Sequence, residues 1–581
     1  MRPVRKFPPP FQIFHVPITL LTMFRRVLLL LLAFVPAQAA TKPDIILITL
    51  DSTRADRMGF LGGHAKTPAL DALAKDSLVF ERAYAQAPLT VVSHATLLTG
   101  TYPQTHQVTE FGAPLAASLP FLPDLLHAQG YRAAAFVGSI ALDPKNGLAP
   151  GFERGFALYD AGFHPPQLGG STAPATVRRA DQVIARATAW LSKPGQMPIF
   201  LWVHLIDPET TSASSYDSAI ASTDAVVAKL IATLKTQKLY DDALIVVAAD
   251  HGQSLGAHGE DTHGIFLYDE TIHVPLLMKL PKAQMAKHVT SRVGLVDVAP
   301  TLLEVAGVPV PSQMQGQSLL RIAKAASAPD QPVYSRSDFP QRGFGWSSLE
   351  SWRAGKYLYI RAPKPELYDL STDPGATKNL AASSKATLET IAAQLESFDH
   401  HFTQGGKTAE LTSSEMQKLA SLGYVGLQKS SSSNTAATGT DPKDQIALAN
   451  KSEEALTALD SGSAEKAASM AQPIAASQPN AYLPQYVLGV ALALEQKYPQ
   501  AVEHLHKAIE LQPDSAWAHF YMGSSLLKTG DFKTAAVHLE IAATRLPQFA
   551  EAHKLLAESY DHLNRTEDAK KERLKAAQIR P

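Results

Sequence analysis

The chain has 581 residues, 53 Lys and Arg against 54 Asp and Glu, a formal net charge of −1, and 45% hydrophobic residues. The length allows more than one domain, and the balanced charge gives no reason to expect nucleic acid or an anionic membrane surface as a partner. There is no cysteine, which excludes disulfides, thiolate metal sites and a cysteine nucleophile. The N-terminus has the layout of an export signal: basic Phe24-Arg25-Arg26, an apolar core from Val27 to Val35, and small residues at Ala37-Gln38-Ala39. That core is shorter than the ~20 residues that span a bilayer, so a signal peptide over residues 1–39 is expected rather than an anchor. The expected product is an exported, periplasmic chain, soluble from about residue 40.

Two apolar runs then stop at carboxylates. Ile45-Ile46-Leu47-Ile48-Thr49-Leu50 ends at Asp51, and Leu244-Ile245-Val246-Val247 leads to Asp250 and His251. Such runs predict central strands buried on both faces, and ligands of such sheets sit beyond the strands' carboxyl ends. Two carboxylates and an imidazole placed there suit a divalent cation. Further strands are predicted at Ala133–Val137, Ile199–His204 and Val274–Leu280. Helices are predicted at Thr67–Ala74, Leu122–Gln129, Arg178–Leu191, Ala219–Lys235 and Val296–Ala306. This alternation over residues 41–400 predicts an α/β domain with a mostly parallel sheet flanked by helices. Between Pro88 and Gly100 a short helix begins at or near Thr90. A threonine there usually caps its helix. Free N–H groups at the same place also favour a phosphate or sulfate, and a hydroxyl beside a cation can become a nucleophile.

Residues 401–441 read as a linker, with the small polar run Ser430-Ser431-Ser432-Ser433-Asn434-Thr435-Ala436-Ala437-Thr438-Gly439. Beyond it Pro479, Pro513, Pro547 and Pro581 recur every 34 residues. Gly489, Gly523 and Ala557 keep that register, as do Ala501, Ala535 and Ala569, and Ala508, Ala542 and Ala576. Small residues at these offsets let antiparallel helices pack closely. The period resembles the tetratricopeptide repeat and predicts an all-α solenoid over residues 442–581, with 443–479 as a divergent first unit. Its expected use is a groove for a protein or peptide partner; a stabilising or dimerising appendage is the alternative.

Five stretches, in order, resemble the sulfatase branch of the alkaline phosphatase superfamily over roughly residues 43–382. They are Asp44–Asp51, Ser93–Pro103, Phe200–Pro208, Asp250-His251-Gly252 with Tyr268–Pro275, and Glu366–Pro374. The resemblance implies a phosphatase-like fold and one divalent cation (calcium, manganese, magnesium or zinc) held by Asp51, Asp250 and His251. It puts Thr90 at the nucleophile position. His204 and His263 resemble groups that contact an anionic ester or protonate its leaving oxygen, while His258 and His273 are expected to be structural. Ser52 stands where many relatives carry a second aspartate. The loop from Asp207 to Ser212 would line the pocket entrance.

One departure stands out. Relatives that form formylglycine carry Cys or Ser, any residue, Pro, Ser and Arg, whereas this chain has Thr90-Val91-Val92-Ser93-His94. A threonine cannot give an aldehyde by that oxidation, because its β-carbon bears a methyl group. Threonine nucleophiles are what the phosphodiesterases, phosphoethanolamine transferases and lipoteichoic acid synthases of the superfamily use. The expected function is a metal-dependent hydrolase or transferase of phosphate or sulfate esters. The alternatives are an inactive sulfatase-fold binding protein and a scaffold acting through its repeats.

Overall fold

The computed structural model describes residues 42–145, 148–162, 178–193, 195, 197–206, 213–325, 330–402, 412–422 and 438–579. The expected signal peptide, the loop from Asp207 to Ser212, Ser430 to Ala437 of the linker and Pro581 lie outside the described residues. Among those described, no helix is long and apolar enough to cross a membrane.

The two apolar runs form β1 (Ile45–Leu50) and β6 (Leu244–Ala249), each buried from end to end. Between them in sequence lie β2 (Leu78–Tyr84), β3 (Arg132–Val137), β4 (Leu158–Asp160) and β5 (Ile199–Leu205); β7 (His273–Lys279), β8 (Lys287–Val289) and β9 (Val293–Gly294) follow. The sheet runs β4-β3-β5-β1-β6-β7-β2-β8, with β9 also on β2. Strands β4, β3, β5, β1 and β6 are mutually parallel, whereas β7 is antiparallel to both β6 and β2. Leu50 is in register with Ala249 and with Leu205, so the residues that follow β1 and β6 leave the sheet side by side.

Helices Pro68–Ala74, Leu122–Ala128, Ala180–Leu191, Ala213–Thr236 and Val298–Val305 flank this sheet. The fourth starts earlier than its apolar period indicates. Its first turns are polar, but Arg57 pairs with Asp217 at 2.6 Å and the Tyr216 hydroxyl donates to Ser52 O at 2.5 Å. A second sheet is antiparallel in the order β10 (Val333–Ser337), β11 (Leu349–Ala354), β12 (Tyr357–Arg361), β13 (Glu366–Asp369). Its strands mix charged and apolar residues, and their carboxylates and guanidinium groups are buried against one another, as Glu350 and Arg361 are at 2.7 Å.

One further helix, Thr90–Thr99, is labelled α1. The repeats supply four antiparallel pairs: α2 (Ile446–Asp460) with α3 (Ala464–Ser477), α4 (Tyr482–Leu494) with α5 (Tyr498–Leu511), α6 (Ala516–Thr529) with α7 (Phe532–Arg545), and α8 (Ala550–His562) with α9 (Thr566–Gln578). Close approach explains the glycine column. A Cβ at Gly489 would lie 2.7 Å from Leu505 Cγ, and one at Gly523 2.6 Å from Leu539 Cγ. The array is fastened to the α/β domain. Arg342 pairs with Glu110 and, at 3.1 Å, with Asp514 in the turn before α6; Gln512 donates to Arg342 O at 2.7 Å.

A polar pair bridges the helices of three repeats at the same 34-residue interval. Gln485 meets His504 at 2.8 Å, His519 meets His538 at 2.8 Å, and His553 meets Glu572 at 2.6 Å. In the middle pair, His519 Nε2 donates to Pro513 O, so the neutral ring accepts at Nδ1 from His538. Burial pushes His519 down to about 4, and burial together with His519 drives His538 well below its usual range. Unfolded histidine titrates near 6.5. The pair therefore stabilises the fold fully above pH ~6.5, and this contribution falls as the pH drops from ~6.5 towards 4, by up to about 1.4 kcal/mol per pH unit and per group. Thermal unfolding followed between pH 8 and 5 should reveal this loss. His519→Gln, which copies the Gln485–His504 pair, should reduce it.

Candidate active site

The site is built where β1 and β6 end. Asp51 N donates to Leu205 O at 2.9 Å and Asp250 N to Leu50 O at 3.1 Å, which sets the two carboxylates next to each other. Ser52, held at φ +50°, supports both. Its hydroxyl donates to Asp51 Oδ1 at 2.7 Å and its N–H to Asp250 Oδ1 at 3.1 Å. Ser52 thus orients the two carboxylates. His251 N also donates to Asp250 Oδ1, at 2.8 Å. Asp250 Oδ2 is buried with no hydrogen-bond partner. Burial and the charge of Asp51 raise Asp250 well above the usual carboxylate range. Burial acts the same way on Asp51, but its hydrogen bond to His204, the charge of His204 and the hydrogen bond from Ser52 outweigh it and hold Asp51 well below that range.

The ligand atoms of Asp51, Asp250 and His251 all lie within 4.8 Å of one another. A dry, unpartnered carboxylate oxygen facing a second carboxylate and an imidazole costs stability unless a cation neutralises it, so these residues fit a divalent ion. Oxygen and nitrogen donors accommodate calcium, magnesium, manganese or zinc. His94, His204 and Asp250 form a second group at the same spacing, but its imidazoles are already committed. His94 Nδ1 donates to Thr90 O at 2.8 Å, so the ring, kept neutral by burial, accepts at Nε2 from the Thr49 hydroxyl at 3.1 Å. Thr49 Oγ1 in turn accepts from Trp202 Nε1 at 3.0 Å and from His204 Nδ1 at 3.0 Å. His204 Nε2 then carries a hydrogen as well and donates to Asp51 Oδ2 at 3.1 Å.

Helix α1 brings Thr90 to the same place. Its N-cap is Leu89, in extended conformation and without a side-chain cap, and Gly100 ends it at φ +62°. Thr90 is therefore the first helical residue, and its hydroxyl is not spent on capping. Thr90 Oγ1 lies 3.1 Å from His251 Nε2. Gly252 O can only accept, so His251 Nδ1 carries the hydrogen at 2.9 Å, and the neutral ring offers Nε2 to the threonine hydroxyl. Ser93 Oγ donates to Asp250 O at 2.5 Å and ties α1 to the end of β6.

His263 packs against His251 in a tilted arrangement with ring centroids 4.2 Å apart, and its Nδ1 donates to Gln253 Oε1 at 2.7 Å. Burial, together with the neighbouring His251, pushes it down to about 3, which leaves Nε2 bare near neutral pH. His258 stacks on Tyr268 at 3.6 Å and His273 on Tyr84 at 5.0 Å; both serve packing. Of the six residues singled out from sequence, Asp51, Asp250, His251, Thr90 and His204 converge directly, and His263 joins through His251. Thr49 and Trp202 were missed. The signal available for them was strand alternation, which puts Trp202 and His204 on one face of β5 opposite Thr49 of β1.

Comparison with known proteins agrees with this architecture. The family described as Sulfatase matches residues 43–308, and N-sulphoglucosamine sulphohydrolase, C-terminal, matches 260–401. TPR repeat and Tetratricopeptide repeat match 489–530 and 522–581. The chain is a sulfatase domain of the alkaline phosphatase superfamily followed by tetratricopeptide repeats. Rat (Rattus norvegicus) arylsulfatase K is 31% identical over 193 residues, 31% of this chain and 34% of that protein, so the match spans about a third of that relative. The ulvan-active sulfatase of Formosa agariphila is 24% identical over 61% of this chain and 80% of its own. The fold is shared with the phosphonate monoester hydrolase of Agrobacterium radiobacter, at TM-score 0.52 and 22% identity over 62% of this chain and 96% of the other.

Addition of a divalent cation should raise the thermal midpoint, by the linkage of about 2.7 kcal/mol at a hundred times Kd. Asp250→Asn should abolish that rise while leaving the metal-free protein at least as stable, since the buried like-charge pair is gone. Differential scanning fluorimetry with calcium, manganese, magnesium and zinc reads both outcomes.

Proposed function

We propose that the chain cleaves or transfers a phosphate or sulfate ester through Thr90, with a single divalent cation held by Asp51, Asp250 and His251. The observation that carries this reading is the Thr90 hydroxyl, which is not used as a helix cap and is aimed at His251 Nε2 at 3.1 Å. The cation would neutralise ester oxygens and lower the pKa of the hydroxyl. Thr90 Oγ1 bonds to the phosphorus or sulfur centre in line, its hydroxyl proton passes to solvent water, and the bond to the leaving oxygen breaks. N–H groups in the first turn of α1 face the developing charge. His204 Nε2, which carries a hydrogen, supports the charge on Asp51. An anionic ester beside His263 raises that ring's proton affinity, so His263 can deliver a proton to the leaving oxygen. Water or an acceptor alcohol then releases the substituted threonine.

The names of the relatives point to both esters, sulfate for arylsulfatase K and the ulvan-active sulfatase, phosphonate for the hydrolase that shares the fold. Threonine in place of the aldehyde precursor favours phosphoryl transfer. Peptide mass spectrometry after incubation with manganese and a panel of phosphodiesters and sulfate esters tests this. The expected result is a mass increase on Thr90 and a fall in turnover of about a thousandfold or more in Thr90→Ala. Full turnover in Thr90→Ala would sink the proposal. His263→Ala should lower kcat by about 10²–10⁴ for esters with alkyl leaving groups and much less for nitrophenyl esters, which need no proton.

A further inference from the structure

Thirteen residues, Gly252 to Gly264, join the cation ligands to His263. Their backbone is under strain. Leu255 and His258 adopt φ +54° and +53° although neither is glycine, and Gly256, Gly259 and Gly264 are also at positive φ. At Leu255 and His258 such a conformation is disfavoured and persists only where the surroundings impose it. Within the loop, Ser254 N donates to Thr262 O at 2.7 Å and Gly256 N to Glu260 O at 2.8 Å. These bonds close a small hairpin but do not attach its tip to anything.

The attachment comes from the repeat array. Asn450 and Glu453 lie one turn apart on α2 and face the same way. Asn450 Oδ1 accepts from Asp261 N at 3.2 Å, and its Nδ2 donates to Gly259 O at 2.8 Å. Glu453 accepts from the Thr262 hydroxyl. Ile446 closes the contact: a Cβ on Gly259 would be 3.4 Å from its Cγ2. The start of α2 is itself fixed to the second sheet. Asp441 accepts from Lys364 N at 2.9 Å, and Lys443 Nζ meets Glu366 at 2.6 Å. Glu366 also accepts from Tyr268, on which His258 stacks. The loop is thus held from both sides, and the residue after the Glu453 contact is His263.

We propose that Asn450 and Glu453 are positioning residues for His263, and that the first helix of the repeat array is thereby a working part of the ester site. An array serving only as a docking platform has no need to hydrogen-bond residues 259–262. The role assigned to His263 comes from the function proposed above; the placement of the loop does not.

The test uses the full chain and three variants: Asn450→Ala, Glu453→Leu and Glu453→Gln, the last keeping an acceptor for Thr262. Hydrogen exchange by mass spectrometry follows peptides covering 252–264, and kcat and KM are measured on the best ester of the panel. Asn450→Ala and Glu453→Leu should speed exchange in 252–264 by about tenfold, as the loss of roughly 1.4 kcal/mol of local stability gives, without change in β1 or β6. They should lower kcat by about 10–100-fold with KM changed less than about threefold, as expected when a group acting in the transition state is misplaced. Glu453→Gln should recover most of both. Unchanged exchange in 252–264 in both disruptive variants overturns the proposal, as does faster exchange with wild-type kcat. If the wild-type chain turns over no ester, the proposed function fails by itself, and the exchange data still decide whether α2 holds the loop.

Discussion

Two carboxylates set side by side, one fully buried and the other partly so, are the constraint around which the α/β half is arranged. Asp51 and Asp250 meet because β1 and β6 are parallel neighbours in register, and a sheet that ends both strands at one level leaves them no other place. Like charges that close in a dry site repel strongly. The surroundings answer in four ways: Ser52 spans the pair, His204 donates to one carboxylate, backbone N–H groups hold one oxygen of the other, and its second oxygen is left for a cation. The candidate cation ligands follow from the sheet topology, and the position of Thr90 follows from the short helix that Ser93 ties to the end of β6.

What was legible in the sequence tracks how local the determining signal is. The ends of β1 and β6 could be read because an apolar run that stops at a carboxylate is a local pattern. The start of α1 could be read because Pro88 and Gly100 frame it, and the 34-residue period identified the solenoid. Thr49 and Trp202 were not legible. Each looks like an ordinary strand residue, and its role arises only when β5 and β1 come into register. His94 was visible only as the absence of an arginine; its own part, a neutral ring that fixes the hydrogens of Thr49 and hence of His204, depends on burial. The strands of the second sheet were missed because their charged residues are buried in mutual ion pairs, which hides the usual alternation. The contacts of Asn450 and Glu453 join residues about 190 positions apart, where no window of sequence reaches.

The two halves of the chain solve different problems with the same economy of small residues and buried polar pairs. In the solenoid, Gly489 and Gly523 bring helices close enough for leucines to fill the gap, and the Gln–His, His–His and His–Glu pairs fix the two helices of each repeat against each other. In the catalytic domain, hydroxyls of Thr49, Ser52 and Ser93 do the corresponding task, each joining elements that hydrophobic packing alone would leave free to slide.

Arg342, clamped between Glu110 and Asp514, has a consequence for reach. With the α/β domain and the turn before α6 locked by charge-assisted bonds, the repeat array cannot behave as a ball on a string. Anything seated on the array is held at one distance and one heading from the strand ends, so its local concentration at the pocket is set by a rigid span and not by the statistics of a flexible tether.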